Sequence, residues 1–233
     1  MNKLKLASAS IALILSTSTN AALIERMGGL AYYDDVLDIT WLADGNYLQN
    51  DPGGYYAGTA NWINVNNWVS SLEINGITGW RLPTALDTGP TGKDYSYSGT
   101  DTGYNVQTTD GSTVYSEMAS LYYDTLGNIA AIDINGNTPA GFDGTYNSGP
   151  FSEFGNIASY WVASATDPSS AANSWVFAVN GSSGAQVDPL NTGSFAAMVV
   201  LDGDISAVPV PAAVWLFGSG LIGLAGFAKR KKN

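Results

Sequence analysis

Apolar residues in this chain fall in short runs separated by stretches rich in Gly, Asn, Asp, Ser and Thr, and their spacing predicts a small set of elements. Residues 30–42 predict a β-hairpin. Leu30, Ala31, Tyr32 and Tyr33 make one strand, 34–38 the turn, and Ile39, Thr40, Trp41 and Leu42 the return. After a Gly/Asn/Asp-rich loop at 44–58, Trp62, Val65, Val69 and Leu72 recur near helical spacing and predict a helix over 60–73, ended by Asn75-Gly76. Residues 87–110 carry almost no aliphatic side chains and predict a long surface loop. A second helix is predicted over 114–126, with Met118, Leu121, Tyr122 and Thr125 on one face. The last third predicts strands at 160–163, 174–179, 186–187 and 195–201, with a turn at 180–184. The expected class is α+β, a single domain with two helices followed by an antiparallel sheet.

Both ends of the chain depart from this pattern. Lys3 and Lys5 precede an apolar stretch at 6–15, a polar segment at 16–20 and then Ala21-Ala22. That order predicts a secretory signal peptide over 1–21, cleaved beside small residues. At the other end an apolar run at 212–228 would span about 25 Å as a helix, close to the ~30 Å of a bilayer core. Glycines 218, 220, 223 and 226 are tolerated in such a segment. The cationic cluster at 229–232 would stay on the cytoplasmic side and leave the body outside. Just before the run stand Val208, Pro209, Val210, Pro211 and Ala212, whose two prolines keep the backbone extended.

This three-part end, spanning 208–233, resembles the PEP-CTERM class of sorting signals in its Val-Pro-Leu-Pro-Ala variant. Val208, Pro209, Pro211 and Ala212 match, and Val210 stands in place of leucine. The resemblance implies an exosortase and the secretion machinery as partners, and transient membrane anchoring through the C-terminal helix. It also implies delivery to the cell surface or matrix of a Gram-negative bacterium that makes extracellular polysaccharide.

Composition narrows the chemistry of the body at 22–207. Arg26, Arg81 and Lys93 are its only cations, against all twenty Asp and Glu of the chain, a formal charge of −17. Nucleic acid is excluded as a partner, because phosphate contacts need a basic patch, and anionic glycans are disfavoured on the same ground. With no cysteine and no histidine, thiolate catalysis, disulfides, Ser-His-Asp triads and His-ligated metals are all excluded. Carboxylate chemistry of the glycosidase kind survives as the alternative to a non-catalytic role, but no spacing picks out a pair. No catalytic or cofactor-binding residue is assigned.

The body itself resembles the Lcl C-terminal domain family, named for the end domain of a bacterial collagen-like adhesin, over about residues 30–205. The carriers of that resemblance include Ile39-Thr40-Trp41-Leu42, the signature Gly79-Trp80-Arg81-Leu82-Pro83-Thr84, Glu117-Met118-Ala119-Ser120-Leu121-Tyr122-Tyr123, Leu126-Gly127-Asn128, Tyr160-Trp161, Ser174-Trp175-Val176-Phe177 and Ala197-Met198-Val199-Val200. The family is similar to C-type-lectin-like folds, which implies a compact domain with a loop-rich binding face and a role in adhesion. Two features depart from it: the charge of −17 is unsuited to the sulfated glycans associated with the naming adhesin, and Val199-Val200-Leu201 stands where the family often has a basic residue.

Three sets of residues are candidates. Trp41, Trp80, Arg81, Leu82, Pro83, Trp161 and Trp175 read chiefly as structural, with Trp80 and Leu82 packed inward and Arg81 paired with a carboxylate. The oxygen-rich turns at 44–46, 133–137 and 202–204 offer a weak case for calcium, lacking EF-hand spacing and explained equally by turn chemistry. Tyr55, Tyr56, Tyr95, Tyr97 and Tyr104 are candidate sugar-stacking platforms, consistent with extracellular polysaccharide as a partner. The expected role is a non-catalytic surface or matrix protein, with a carboxylate enzyme acting on glycans or a ligand-free biofilm component as alternatives.

Overall fold

The computed structural model describes residues 22–55, 57–88, 97, 101–157, 159–164, 174–180, 184–187 and 193–205. The signal segment 1–21, the sorting motif with Val208, Pro209, Pro211 and Ala212, the apolar run 212–228 and the basic tail lie outside the described residues. Among the described residues no helix is long and apolar enough to cross a membrane.

Two four-stranded sheets organise the α+β fold. The first is an antiparallel meander of β1 (Leu23–Arg26), β2 (Ala31–Asp34) and β3 (Ile39–Leu42), closed by the last strand, β8 (Val200–Asp202). The second runs in the order β4 (Thr84–Ala85), β5 (Ser159–Ser164), β6 (Ser174–Ala178) and β7 (Ala185–Val187). Its β4–β5 pair is parallel. One antiparallel sheet was the expectation, so both the second sheet and the parallel pair correct it. The reason is visible in β4, which at two residues is too short to carry a periodic signal.

The β2–β3 hairpin is held by Asp34, whose Oδ1 accepts the amides of Val36 and Leu37 at 3.1 Å each. Asp38 closes the turn with a positive φ of 52°, a conformation that Asp tolerates better than most side chains.

The two predicted helices are shorter than expected, and a further single-turn helix precedes them. α1 is one turn, Tyr47–Asn50. α2 covers Trp62–Ser70, starting where the Asn61 side chain accepts the Asn64 amide. It ends before Asn75-Gly76, which instead makes a two-residue hairpin turn joining Ile74 to Ile77, with both central φ angles positive. The predicted second helix begins at Glu117 rather than 114, because Ser116 caps it by accepting the Ala119 amide. After α3 (Glu117–Ala119) it continues as a π-helix over Ser120–Thr125.

The long apolar runs are explained by burial on both faces. In β5, Tyr160 and Val162 enter one core while Trp161 and Ala163 enter the other. β6 divides likewise, with Trp175 and Phe177 against Val176. The same alternation orders the approach to β8: Ala196, Met198 and Val200 on one side, Ala197 and Val199 on the other. α3 and the π-helix supply Met118, Leu121 and Tyr122 to the first core, and α2 supplies Trp62, Val65, Trp68 and Val69 to the second.

Residues 195–199, predicted as strand, connect the sheets instead. Phe195 exchanges two backbone bonds with Ala60, Ala196 bonds to Ser159 and Trp161 on β5, and the Val199 carbonyl accepts from Leu42 on β3. Each group finds a partner on a different segment, so no single ladder forms.

Candidate functional site

Arg81 sits where the two sheets meet. Its backbone exchanges hydrogen bonds with Val200 of β8 at 2.8 and 2.9 Å, and its five guanidinium bonds all go to protein oxygens. Nη1 and Nη2 bind Glu117 bidentately at 2.8 Å, Nε and Nη2 bind Asp202 Oδ1 at 2.9 and 2.6 Å, and Nη1 also reaches the Leu82 carbonyl at 3.0 Å. Glu117 additionally accepts the Thr84 amide at 2.8 Å. Burial alone would lower the Arg81 pKa, but the bonds and charge of Glu117, then of Asp202, outweigh it and raise it. The group thus ties β8, β4 and α3 together, and no donor of Arg81 remains for a ligand.

The aromatic signature residues lie in the cores. Trp41 and Trp175 belong to the first, Trp80, Leu82 and Trp161 to the second, and Pro83 is buried beside them. The Trp161 indole donates to the Ala60 carbonyl at 2.9 Å and meets Trp62 and Phe195 edge-on. Trp80 donates to the Ile77 carbonyl at 3.1 Å.

The oxygen-rich turns are occupied by their own neighbours. Asp44 accepts from the Asn46 amide and the Asn50 side chain at 2.9 and 2.6 Å, and Asp133 Oδ1 accepts the Asn135 and Asn137 amides at 2.8 and 2.9 Å. Those amide bonds hold the Asp133 carboxyl below its ordinary pKa. Asp202 faces Arg81, and Asp204 is gripped by Arg26 at 2.5 and 2.7 Å. No group of three or more potential metal-ligating side chains occurs among the described residues.

One carboxyl pair does come together, Asp87 with Asp101, fourteen positions apart and invisible to spacing. Burial first, then the hydrogen bond and charge of Asp101, raise the Asp87 pKa. Asp101 also accepts the Thr88 amide at 2.8 Å.

Of the five candidate tyrosines, Tyr55 packs against the second core, and Tyr56 and Tyr95 lie outside the described residues. Tyr97 and Tyr104 form a ring pair, the first exposed and the second half-buried. Tyr97 is 44% exposed, and the ring centroids are 6.2 Å apart at an interplanar angle of 33°. Three residues that spacing did not single out build this face. Gly136, at a φ of +81°, lies under the Tyr97 ring, where a Cβ would come within 3.1 Å of Cε2. Asn105 donates through Nδ2 to the carbonyls of Tyr97 and Ile132 at 3.0 and 2.9 Å, tying the two loops together. Gln186, wholly buried, anchors their base: Oε1 accepts from Ser116, Nε2 donates to the Asp101 carbonyl, and its backbone bonds twice to Gly103. Ile134, 67% exposed at the tip of the 133–137 turn, extends the apolar area. Such a face can take a pyranose ring, burying C–H groups while sugar hydroxyls stay in water or on the flanking amides.

No protein family, curated protein or solved structure matches this chain.

Proposed function

We propose that this is an exported, non-catalytic cell-surface or matrix protein that associates with extracellular polysaccharide through a C-type-lectin-like domain. In this reading an exosortase processes the chain near 208–212 after transient anchoring by the 212–228 segment. The observation that carries the binding role is the Tyr97–Tyr104 pair, in which the Tyr97 ring is exposed over Gly136 and its carbonyl is pinned by Asn105. Asp87 and Asp101 give little support to the carboxylate-enzyme alternative, because hydrogen-bonded carboxyls are closer than the ~5–9.5 Å that glycoside hydrolysis uses.

Binding to a glycan array, measured alongside reducing-end release from the same glycans, tests the role. Saturable binding without product is the expected result; product that disappears in Asp87→Asn would install the enzyme reading instead. Pro209→Ala with Pro211→Ala is expected to leave unprocessed precursor in the membrane fraction, and normal processing would count against the sorting role.

A further inference from the structure

Three of the four sheet edges are covered among the described residues: Arg81 bridges to Val200 on β8, Ser116 to Ala85 on β4, and Gly103 to Gln186 on β7. The outer edge of β1 has no such neighbour among them. Its contacts fix which way its backbone groups point. The Ala22 amide donates to Asp35 and the Arg26 carbonyl accepts from Gly29, both on the side of β2. Ile24 therefore also faces β2 with its amide and carbonyl, and those of Leu23 and Glu25 point outward. The Glu25 carbonyl accepts Arg26 Nη1 at 2.9 Å, which leaves it a second lone pair. The Ile24 side chain is 39% exposed between them. An edge left bare in this way is a template for one more strand.

We propose that the added strand is β1 of a second copy of this chain, antiparallel, with a two-fold axis through Ile24. Leu23 of each copy then exchanges both backbone hydrogen bonds with Glu25 of the other, so every outward group of the strand is used. The two Ile24 side chains meet in the close, non-hydrogen-bonded position and cover apolar surface that one copy alone exposes. Charge selects this register. The neighbouring two-fold registers of the same parity either set Glu25 opposite Glu25 of the other copy, a like-charge pair, or leave Glu25 without a partner in β1. In the chosen one each copy offers the other an apolar side chain for Ile24 and a neutral one, Leu23, for Glu25. The two β1-β2-β3-β8 sheets become one continuous sheet across the axis. A contact through so short a strand buries little area, so the dimer is a weak one that forms at micromolar concentration.

The test is disulfide trapping, because the chain has no cysteine of its own. Ile24→Cys sets two sulfurs across the axis at a Cα separation of about 4.5 Å, inside the ~4.4–6.8 Å that a disulfide spans. The full-length variant in detergent micelles is expected to give a covalent dimer under mild oxidation, read on a non-reducing gel. Ile63→Cys, at a more exposed position on α2, should trap at least about tenfold more slowly. Sedimentation equilibrium of the cysteine-free chain should show a reversible dimer. Glu25→Pro removes an outward amide that has no partner within the chain, and should raise the dissociation constant at least about tenfold while the melting transition is kept. Glu25→Ala, which keeps that amide, should leave the dimer intact. A chain that stays monomeric up to about 100 μM, or an Ile24→Cys that crosslinks no faster than Ile63→Cys, overturns the proposal. A dimer unaffected by a folded Glu25→Pro places the association elsewhere, the 212–228 segment included, and overturns it as well. Should Glu25→Pro fail to fold, the comparison of Ile24→Cys with Ile63→Cys decides the matter alone.

Discussion

Arg81 and Tyr97 make an instructive pair of opposites. Arg81 belongs to the rarest class of side chain in the body, and the fold consumes all of it: every guanidinium donor is bonded, and removing it would strand a Glu117 side chain that is only 9% exposed. Tyr97 belongs to a common class and sits on a loop, yet 44% of it faces solvent while its carbonyl is pinned by Asn105. The difference separates holding the domain together from meeting a partner. Among the described residues the scarce positive charge, Arg26 and Arg81, is spent on ion pairs, while an aromatic ring and its flanking amides are left facing outward.

The strongest way to sharpen that contrast is to strike the core. Trp161→Ala removes a wholly buried indole, its bond to Ala60 and two edge-on ring contacts, and should cost about 3–5 kcal/mol in urea unfolding. Arg81→Ala should follow at about 2–4 kcal/mol, because Glu117 loses its bidentate partner. Arg81→Lys should recover only part of it, since an ammonium cannot serve Glu117 and Asp202 with the same fork.

Asp34 tests the hairpin with a smaller effect. Asp34→Ala leaves the amides of Val36 and Leu37 without their acceptor and should cost about 1–3 kcal/mol, whereas Asp34→Asn keeps an oxygen there and should cost less. Burial raises the Asp34 pKa, against the pull of the Leu37 and Val36 amides, Thr125 and Trp41. The folded state therefore binds the proton more tightly than the unfolded chain, and this group's contribution falls as pH rises from the ordinary aspartate value of ~3.9 through the raised folded one. Asp110, Asp133, Asp143 and Asp204 are lowered, so their contributions are lost in the opposite direction, as pH falls through their depressed folded values. Urea midpoints measured across this range should show Asp34→Asn reducing the first slope, with the share of the raised Asp87 remaining, and leaving the second. Smallest of all, Tyr97→Ala should change stability by no more than about 0.5 kcal/mol.

The α+β class was legible in the sequence wherever one face repeats. Trp62, Val65 and Val69 do share the buried side of α2, with Leu72 joining the same core just beyond its end, and Met118, Leu121 and Tyr122 share that of the second helical segment. Continuous runs such as Tyr160-Trp161-Val162-Ala163 read as strand but do not reveal that both faces are covered, so the second core was hidden. β1, at Leu23–Arg26, buries none of its four residues fully and so shows no alternation, and a 3.6-residue template reads 120–125 as helix without distinguishing its π-winding. Part of the outward face was readable, as tyrosines in a loop poor in aliphatic residues. Its support was not, because Asn105, Gly136 and Gln186 act through contacts spanning tens of residues: Asn105 with Ile132, Gly136 with Tyr97, Gln186 with Ser116.

The most direct measurement is polysaccharide binding and thermal unfolding of the full-length chain, made in parallel on the unmodified protein and on Tyr97→Ala combined with Tyr104→Ala. Binding weakened at least about tenfold, with the melting transition retained, is the predicted result. Undiminished binding by a folded double variant would contradict the account, because the Tyr97–Tyr104 pair would then have no part in holding the partner.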